Sequence, residues 1–240
     1  MSECFDKAFL KVCLDKLGLG CGDADSDRFE EFFLAITEFN KAVNLTTIID
    51  QREFIIKHIA DSLSAMPLFP QNASVADIGP GGGFPSIPLK ILRNDLSFAL
   101  FEAVGKKTAF LNSLKEKLGL ERVDCFHLRA EEAAGKGYRG SFDAVVARAV
   151  APLNTLLEYA LPLLKKNGLL IAYKGSEKVV GEEIIRAEHA TKLLGGILQE
   201  KRTVFLPFSE DRRTLVVYRK THSTPTVYPR LGNKPRLSPL

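Results

Sequence analysis

From residue 73 to residue 174, short apolar runs alternate with stretches of helical periodicity. The apolar runs fall at 73–78, 97–101, 122–128, 142–147 and 168–173. Helical spacing between them is clearest in Lys106–Leu118 and Leu153–Leu164. Repeated strand–helix–strand units need right-handed crossovers, so they build a mostly parallel sheet covered by helices on both faces. The pattern therefore predicts a doubly wound α/β fold.

The two ends of the chain depart from this central pattern. Ser26–Val43 carries apolar side chains at mixed spacings of three and four residues, as in an amphipathic helix. Glu200–Phe208 and Arg213–Lys220 indicate two more strands with no room for a helix between them, so at least one should run antiparallel. We therefore expect an N-terminal helical section at 1–65, a seven-stranded Rossmann-like sheet domain at 66–220 and a basic extended tail at 221–240.

Composition places the chain among ordinary globular proteins. Its 240 residues are 45% hydrophobic and 26% charged, and the longest apolar runs are too short to span a bilayer. The cysteines at positions 4, 13, 21 and 125 show neither a CxxC pair nor the Cys/His spacing of a metal site. We expect a reduced, cytoplasmic, monomeric protein with no metal ion, no membrane contact and no signal peptide.

Positive charge is concentrated at the C-terminal end. From Lys201 onward there are nine Lys or Arg residues and only two acidic residues, whereas the chain as a whole has a net charge of +4. The remaining chain is therefore mildly acidic. A basic end on an acidic body indicates a polyanionic partner, although a solvated terminus has the same composition.

The segment DIGPGGGFPSIP at 77–88 follows the first predicted strand. In doubly wound folds the ligand lies beyond the carboxyl ends of the strands, where the backbone must turn sharply and approach it closely. Glycine allows both at low cost. The segment favours a cofactor loop, although a tight turn without a ligand also fits its glycine content.

The spacing of the glycines limits which cofactor this loop can hold. A dinucleotide fingerprint needs glycine or alanine where this chain has Phe84 or Ser86, and no phosphate-binding GxxxxGK[ST] motif is present. Glu102 ends the second predicted strand, where its carboxylate can accept hydrogen bonds from two ribose hydroxyls. After the third strand, the Ala130 amide and the Glu131 carboxylate could recognise an adenine edge. This ordered set resembles the class I S-adenosylmethionine-dependent methyltransferases.

Several longer motifs resemble one family within that class. They are KAVNLTTI (41–48), KHIADSL (57–63), GGGFPSIPL, FEAVGKKTAFL, RAEE, ARAVAPL (147–153), YKG (173–175) and YPRLGNKPRLSPL. In this order and over essentially the whole chain, they resemble the bacterial RsmG family, also called glucose-inhibited division protein B. That family methylates guanine N7 in 16S ribosomal RNA of the small ribosomal subunit.

The resemblance implies S-adenosyl-L-methionine as cofactor and 16S ribosomal RNA, free or in the small subunit, as partner. It implies cofactor contacts at Gly79, Gly81, Gly83, Phe84, Glu102, Ala103, Val104, Ala130, Glu131 and Arg148. The candidate catalytic residues are Arg148, His58 and Asp61. The candidate RNA contacts are Asn44, Lys174, Arg230, Lys234 and Arg236.

Most of these residues also have a purely structural interpretation. Arg148 could contact the cofactor or the guanine, or form an ion pair with a nearby acid. His58 and Asp61 are three residues apart on a predicted helix and so share a face, which a structural pair would also do. Asn44 could close the site or cap a helix. Lys174 could meet RNA phosphate or be solvated.

Methylation of guanine N7 needs none of the catalytic motifs that are missing from this sequence. We find neither the Asn/Asp-Pro-Pro-aromatic motif used on exocyclic amino groups nor a cysteine nucleophile for a pyrimidine carbon, since Cys125 reads as a strand residue. N7 already carries an in-plane lone pair, so no general base is required. Orienting N7 toward the methyl group can then supply the catalysis, by lowering the activation free energy by about 7 to 11 kcal/mol. Two other functions remain open, a non-catalytic RNA-binding or ribosome assembly factor and a nicotinamide-dependent oxidoreductase.

Overall fold

The fold is an α/β sandwich built on one seven-stranded sheet in the order β3-β2-β1-β4-β5-β7-β6. A computed structural model describes residues 5–240, so Cys4 lies outside the described part of the chain. The strands are β1 Ser74–Ile78, β2 Ser97–Glu102, β3 Val123–His127, β4 Phe142–Arg148, β5 Leu164–Lys174, β6 Gly196–Phe205 and β7 Arg212–Lys220. The first five pair in parallel, and β7 runs antiparallel to both β5 and β6. The predicted fold class is confirmed.

Helices cover both faces of the sheet. They are α1 Lys7–Asp15, α2 Asp23–Asn40, α3 Gln51–Phe54, α4 Asp61–Leu63, α5 Ser86–Leu92, α6 Gly105–Lys117, α7 Ala130–Ala133, α8 Leu153–Ala160, α9 Glu177–Arg186, α10 Glu188–Leu193 and α11 Lys234–Leu237. A π-helical turn at Ile55–Ala60 joins α3 to α4, so residues 51–63 form one continuous helical segment. Such turns occur often at functional sites.

Aromatic side chains attach the N-terminal helices to the sheet domain. Phe32 of α2 lies with its ring centroid 5.8 Å from that of Phe54 and 5.2 Å from that of Phe84, which follows the glycine loop. All three rings are buried. The hydroxyl of Tyr173, on β5, donates a 2.6 Å hydrogen bond to the Ser62 carbonyl. These contacts fix segment 51–63 against the carboxyl end of the sheet.

Helix α2 ends three residues earlier than its apolar spacing predicts. The Asn40 side chain accepts hydrogen bonds from the amides of Leu45 and Thr46 and donates to the Thr46 carbonyl. These bonds satisfy backbone groups in the loop that follows. The chain therefore turns at residue 41, and Asn44 lies exposed in that loop.

The C-terminal segment also differs from the sequence-based expectation, since it packs on the domain instead of extending from it. Arg230 pairs with the fully buried Glu158 of α8 at 2.7 Å, and Pro235 is buried. The Thr155 hydroxyl, also on α8, donates to the Pro235 carbonyl at 3.0 Å. A high proline content predicts an extended chain, but it gives no information about a buried carboxylate 72 residues away.

Candidate active site

Two cavities open at the carboxyl ends of the parallel strands. The first cavity lies above β1, β2 and β3, and its lining includes Gly79, Glu102, Ala103, Ala130 and Glu131. The second cavity lies between segment 51–63 and the ends of β4, β5 and β7, and its lining includes Lys57, His58, Asp61, Arg148, Lys174 and Arg213. Ala149 lines the second cavity and Val150 the first, so the loop after β4 separates them.

The glycine loop after β1 needs glycine at defined positions. Gly79, Gly81 and Gly83 have φ angles of +65°, +58° and +96°, which side-chain-bearing residues rarely adopt. A Cβ atom on Gly83 would lie 2.5 Å from a side-chain carbon of Ile87, and one on Gly79 would lie 3.2 Å from Val150. Gly79 is held in place because its amide donates to the Phe101 carbonyl at 2.9 Å. The loop therefore bends back over the ends of β1 and β2.

Glu102 connects this loop to the end of β2. Its Oε2 accepts a hydrogen bond from the Gly81 amide at 3.1 Å, and its Oε1 accepts one from the Val104 amide at 2.9 Å. The residue is only 5% exposed and lines the first cavity. Because each carboxylate oxygen has about two acceptor positions, both oxygens keep one for a ligand hydroxyl.

Ala130 and Glu131 lie on the opposite wall of the first cavity. They form the first turn of α7, where backbone amides have no partner within the helix. The Leu128 amide donates to the Glu102 carbonyl at 3.0 Å, which brings this turn beside the end of β2. The wall thus offers amide donors and the buried Glu131 carboxylate, the donor and acceptor pair that an adenine edge requires.

Glu102→Ala should weaken S-adenosylmethionine binding about tenfold or more. Losing a hydrogen bond to a charged group costs roughly 1.5 to 3 kcal/mol, and 1.4 kcal/mol is tenfold in affinity. Isothermal calorimetry measures the change, with the exposed Glu116→Ala as the matched control. Unchanged affinity in a folded Glu102→Ala protein would remove this residue from the site.

Asp77 is a buried residue of β1 that opens the glycine motif and to which sequence reasoning assigned no role. Its Oδ2 accepts from the Ser86 amide at 3.2 Å, whereas its Oδ1 is buried without a partner among the residues that the structure describes. Burial raises the pKa of Asp77 to about 8, and the hydrogen bonds from Ser86 oppose that rise. Its position inside DIGPGGG was the available signal, since an acidic residue is rarely fully buried in a sheet core.

Asp77 should make the protein less stable as the pH rises from about 4 to about 8. Over this interval the folded state holds a proton that the unfolded state has lost, so the free energy of unfolding falls with pH. Asp77→Asn cannot ionise. The free energy of unfolding of Asp77→Asn minus that of the parent should therefore rise with pH, by up to about 1.4 kcal/mol per pH unit. Urea denaturation between pH 5 and pH 8 measures this difference. Parallel pH profiles for the two proteins would contradict this expectation.

Arg148, at the end of β4, is held from several sides. Its Nη1 donates to Asp61 Oδ2 at 3.1 Å and to the Lys57 carbonyl at 3.2 Å, and its Nη2 donates to His58 Nδ1 at 2.9 Å. The guanidinium carbon lies 4.8 Å from the ring centroid of Phe84. The structure therefore brings Arg148 together with His58 and Asp61, and the alternative interpretation of Arg148, an ion pair with a nearby acid, is present.

His58 is held as a neutral ring with a defined tautomer. Because Nδ1 accepts from Arg148, the ring proton lies on Nε2, which donates to the Thr46 hydroxyl oxygen at 2.7 Å. Burial and the neighbouring Arg148 lower the pKa of His58 to about 3. The ring also stacks on Phe84 with 4.3 Å between centroids. His58 therefore orients Arg148 and has no free nitrogen with which to act as a base.

Asp61 lies between two cations. Besides its bond to Arg148, its Oδ2 lies 3.9 Å from Nε of Arg213, on β7. Burial raises the pKa of Asp61, and the cations Arg148 and Arg213 oppose that rise. Sequence reasoning missed Arg213, because its contact with segment 51–63 spans more than 150 residues of chain and no local motif marks it.

The candidate RNA contacts lie in several places. Lys174 borders the second cavity but pairs with Glu183 at 2.7 Å and donates to the Ala151 carbonyl at 2.8 Å.

Asn44 caps no helix, since the Asp50 side chain caps α3. Arg230 pairs with Glu158, Lys234 is exposed, and Arg236 lines the first cavity.

Some classes of site are absent from the described part of the chain. Residues 5–240 contain no group of three or more His, Cys, Asp or Glu side chains positioned to hold a metal ion. Cys13, Cys21 and Cys125 are free thiols. No helix within that range has the length and apolar character needed to cross a membrane.

Comparisons with known proteins identify one family over most of this chain. A family model described as rRNA small subunit methyltransferase G matches residues 25–213. Curated proteins called ribosomal RNA small subunit methyltransferase G from Lactobacillus johnsonii and Pelotomaculum thermopropionicum are 40% and 42% identical to this chain. The alignments cover 95% and 94% of this chain and 96% and 95% of those proteins.

Solved structures support the same fold. The structure of M. jannaschii TYW2 in complex with AdoMet aligns with a TM-score of 0.54 at 16% identity, over 68% of this chain and 74% of that chain. At this identity the likeness concerns the fold alone. Because the family model spans most of the chain and the curated relatives align over nearly all of it, this chain belongs to the rRNA small subunit methyltransferase G family.

Proposed function

We propose that this protein transfers a methyl group from S-adenosylmethionine to N7 of a guanine in 16S ribosomal RNA of the small ribosomal subunit. The observation that carries the proposal is the pair of cavities on either side of the loop after β4. The first cavity suits the cofactor and the second suits a base. Arg148 lines the second cavity directly before that loop, and we assign the meeting point of the two reacting groups to its neighbourhood.

The residues of the first cavity fit S-adenosylmethionine. The free acceptor positions of Glu102 suit the two ribose hydroxyls, and the first turn of α7 suits the adenine edge. The glycine loop lets the backbone approach the methionine portion without side-chain obstruction, since a Cβ atom on Gly81 would meet nothing within 4 Å. When bound, the cofactor supplies an electrophilic methyl group on its sulfonium.

The residues of the second cavity fit a reaction that needs no general base. Guanine N7 presents a lone pair in the plane of the ring and loses no proton on methylation. His58, the obvious candidate for a base, has both nitrogens engaged and a pKa of about 3. The main catalytic contribution of the protein is therefore to position the reactants. Positioning can lower the activation free energy by about 7 to 11 kcal/mol.

We assign the positioning to Arg148 and its partners. A donor directed at N7 would block the lone pair, so Arg148 is better suited to guanine O6 or to a phosphate oxygen. His58, Asp61 and the Lys57 carbonyl fix the guanidinium plane. Methylation places a positive charge on the purine, and the Asp61 carboxylate lowers the cost of forming that charge beside Arg148.

The RNA is expected to approach over the second cavity. Exposed Asn44 lies in the loop before segment 51–63, and Lys174 and Arg213 border the opposite wall. Lys234 is an exposed cation of the C-terminal segment that could meet phosphate at the far side of the site. The cytoplasm, where small subunits are found, is the proposed location.

A transfer assay tests the proposal. The protein is incubated with tritium-labelled S-adenosylmethionine and, separately, with small subunits that lack the modification, protein-free 16S RNA, 23S RNA and transfer RNA. We expect label in 16S RNA only. Cofactor binding without transfer to any RNA would favour a non-catalytic assembly factor, and thermal stabilisation by NAD but not by S-adenosylmethionine would favour an oxidoreductase.

A further inference from the structure

Residues 228–240, here called the C-terminal strap, contribute a side chain to the first cavity. Arg236 lines this cavity together with Tyr159, Glu131 and Val150. The strap comes from the far end of the chain, whereas the other lining residues end or follow β1, β2, β3 and β4 or belong to α8. A basic C-terminal segment would otherwise be taken only as a contact for RNA.

A buried ion pair holds the strap to α8. The amide, Nε and Nη2 of Arg230 all donate to the carboxylate of Glu158, at 2.8, 2.9 and 2.7 Å. Glu158 is fully buried. Charge-assisted bonds in this two-pronged arrangement are among the strongest that side chains make, and removing one partner of a buried pair is costly. The pair therefore fixes the strap at one point.

A second attachment sets where Arg236 lies. The Thr155 hydroxyl donates to the carbonyl of buried Pro235, the residue immediately before Arg236. Thr155, Glu158 and Tyr159 all belong to α8, so one helix carries these two attachments of the strap and part of the cavity wall. The position of Arg236 relative to the first cavity thus follows from the position of α8.

The Arg236 guanidinium is available for a ligand. Within residues 5–240 no carboxylate lies within ion-pair distance of it, whereas Arg230 and Arg129 each have a carboxylate partner. A planar guanidinium stacks well on a flat aromatic face, and this contact strengthens when water is excluded. Among the parts of S-adenosylmethionine, adenine offers such a face.

We propose that Arg236 covers the adenosine portion of the bound cofactor and that the C-terminal strap, anchored by the Arg230–Glu158 pair, closes the first cavity. The proposal rests on the cofactor assignment made above. It gives the C-terminal segment a role in cofactor binding that is separate from any contact with RNA.

Calorimetry on full-length variants tests this role with two probes, S-adenosylhomocysteine and 5′-methylthioadenosine. The second probe keeps the adenosine but lacks the amino-acid end. Arg236→Ala should lower the affinity for both probes by a similar factor. For a desolvated guanidinium–aromatic contact, this factor is roughly five- to twentyfold. Arg236→Lys should recover only part of the loss, because it keeps the charge but not the plane. Lys234→Ala, two residues away and equal in charge change, should leave both affinities unchanged.

The anchor is tested in the same series. Glu158→Gln keeps the shape of the side chain but weakens its hydrogen bonds to Arg230. We therefore expect a lower affinity for both probes together with a lower melting temperature. Arg236→Ala, whose side chain is exposed, should keep the parent melting temperature. Parent affinity in Arg236→Ala, or a loss confined to S-adenosylhomocysteine, would overturn the proposal. A parent protein that binds neither probe would overturn the cofactor assignment itself.

Discussion

Arg148→Ala should lower the rate of methyl transfer by two orders of magnitude or more while RNA affinity changes little. The guanidinium lines the second cavity, directly before the loop that separates the two cavities, and is fixed by His58, Asp61 and the Lys57 carbonyl. Misplacing reacting groups by about 1 Å can lower the rate about a hundredfold. Arg148 is the residue to which we assign the alignment of the guanine with the methyl group. Single-turnover transfer and filter binding measure the two quantities separately.

The controls for this variant follow from its surroundings. Arg148→Ala leaves the buried Asp61 carboxylate with a weaker partner, so the single variant should lose stability. The double variant Arg148→Ala/Asp61→Asn removes that charge and keeps the test interpretable if the single variant unfolds. Arg186→Ala, at an exposed site on α9, is the matched control. Full turnover in either folded Arg148 variant would show that Arg148 does not align the reactants.

Gly81→Val should abolish cofactor binding in a folded protein. Gly81 has φ of +58°, a region that a β-branched residue enters only with strain, and its amide donates to Glu102 Oε2. The new side chain would project into space that is open in the structure, two residues after Gly79, which lines the first cavity. Backbone displacement would then also disturb the Glu102 carboxylate. Calorimetry with S-adenosylhomocysteine measures the loss.

Gly119→Val is the matched control for Gly81→Val. Gly119 has φ of +60°, and a Cβ atom there would also meet nothing within 4 Å, but the residue follows α6 away from either cavity. Both variants should lose similar stability from backbone strain, whereas only Gly81→Val should lose cofactor binding. If Gly81→Val binds with the affinity of the parent, the glycine loop is a turn without a role in binding.

Local patterns predicted the parts of this fold that depend on neighbouring residues. The first four predicted strands agree with the structure to within a residue, because buried parallel strands are short apolar runs with clear ends. The glycine loop was predictable for the same reason, since positive φ angles can be anticipated from glycines after a strand. The first cavity then followed from residues that end consecutive strands.

Contacts between distant parts of the chain were not predictable in this way. The pairing of Arg230 with Glu158 and the approach of Arg213 to Asp61 depend on how helices pack, which no local period encodes. The grouping of His58 with Asp61 was anticipated from their shared helix face. Their contact with Arg148, roughly 90 residues away, appears only in the folded chain.

The identity of the modified nucleoside tests the central claim most directly. Small subunits lacking the modification are treated with the protein and S-adenosylmethionine, and their 16S RNA is digested to nucleosides for mass spectrometry. A parallel sample is reduced with borohydride and cleaved with aniline, which breaks the chain at 7-methylguanosine. We predict 7-methylguanosine at a single position, with cleavage there, and at least hundredfold weaker signals after the same short reaction time with Arg148→Ala. A methyl group on a guanine amino nitrogen, a pyrimidine or a ribose would contradict the account.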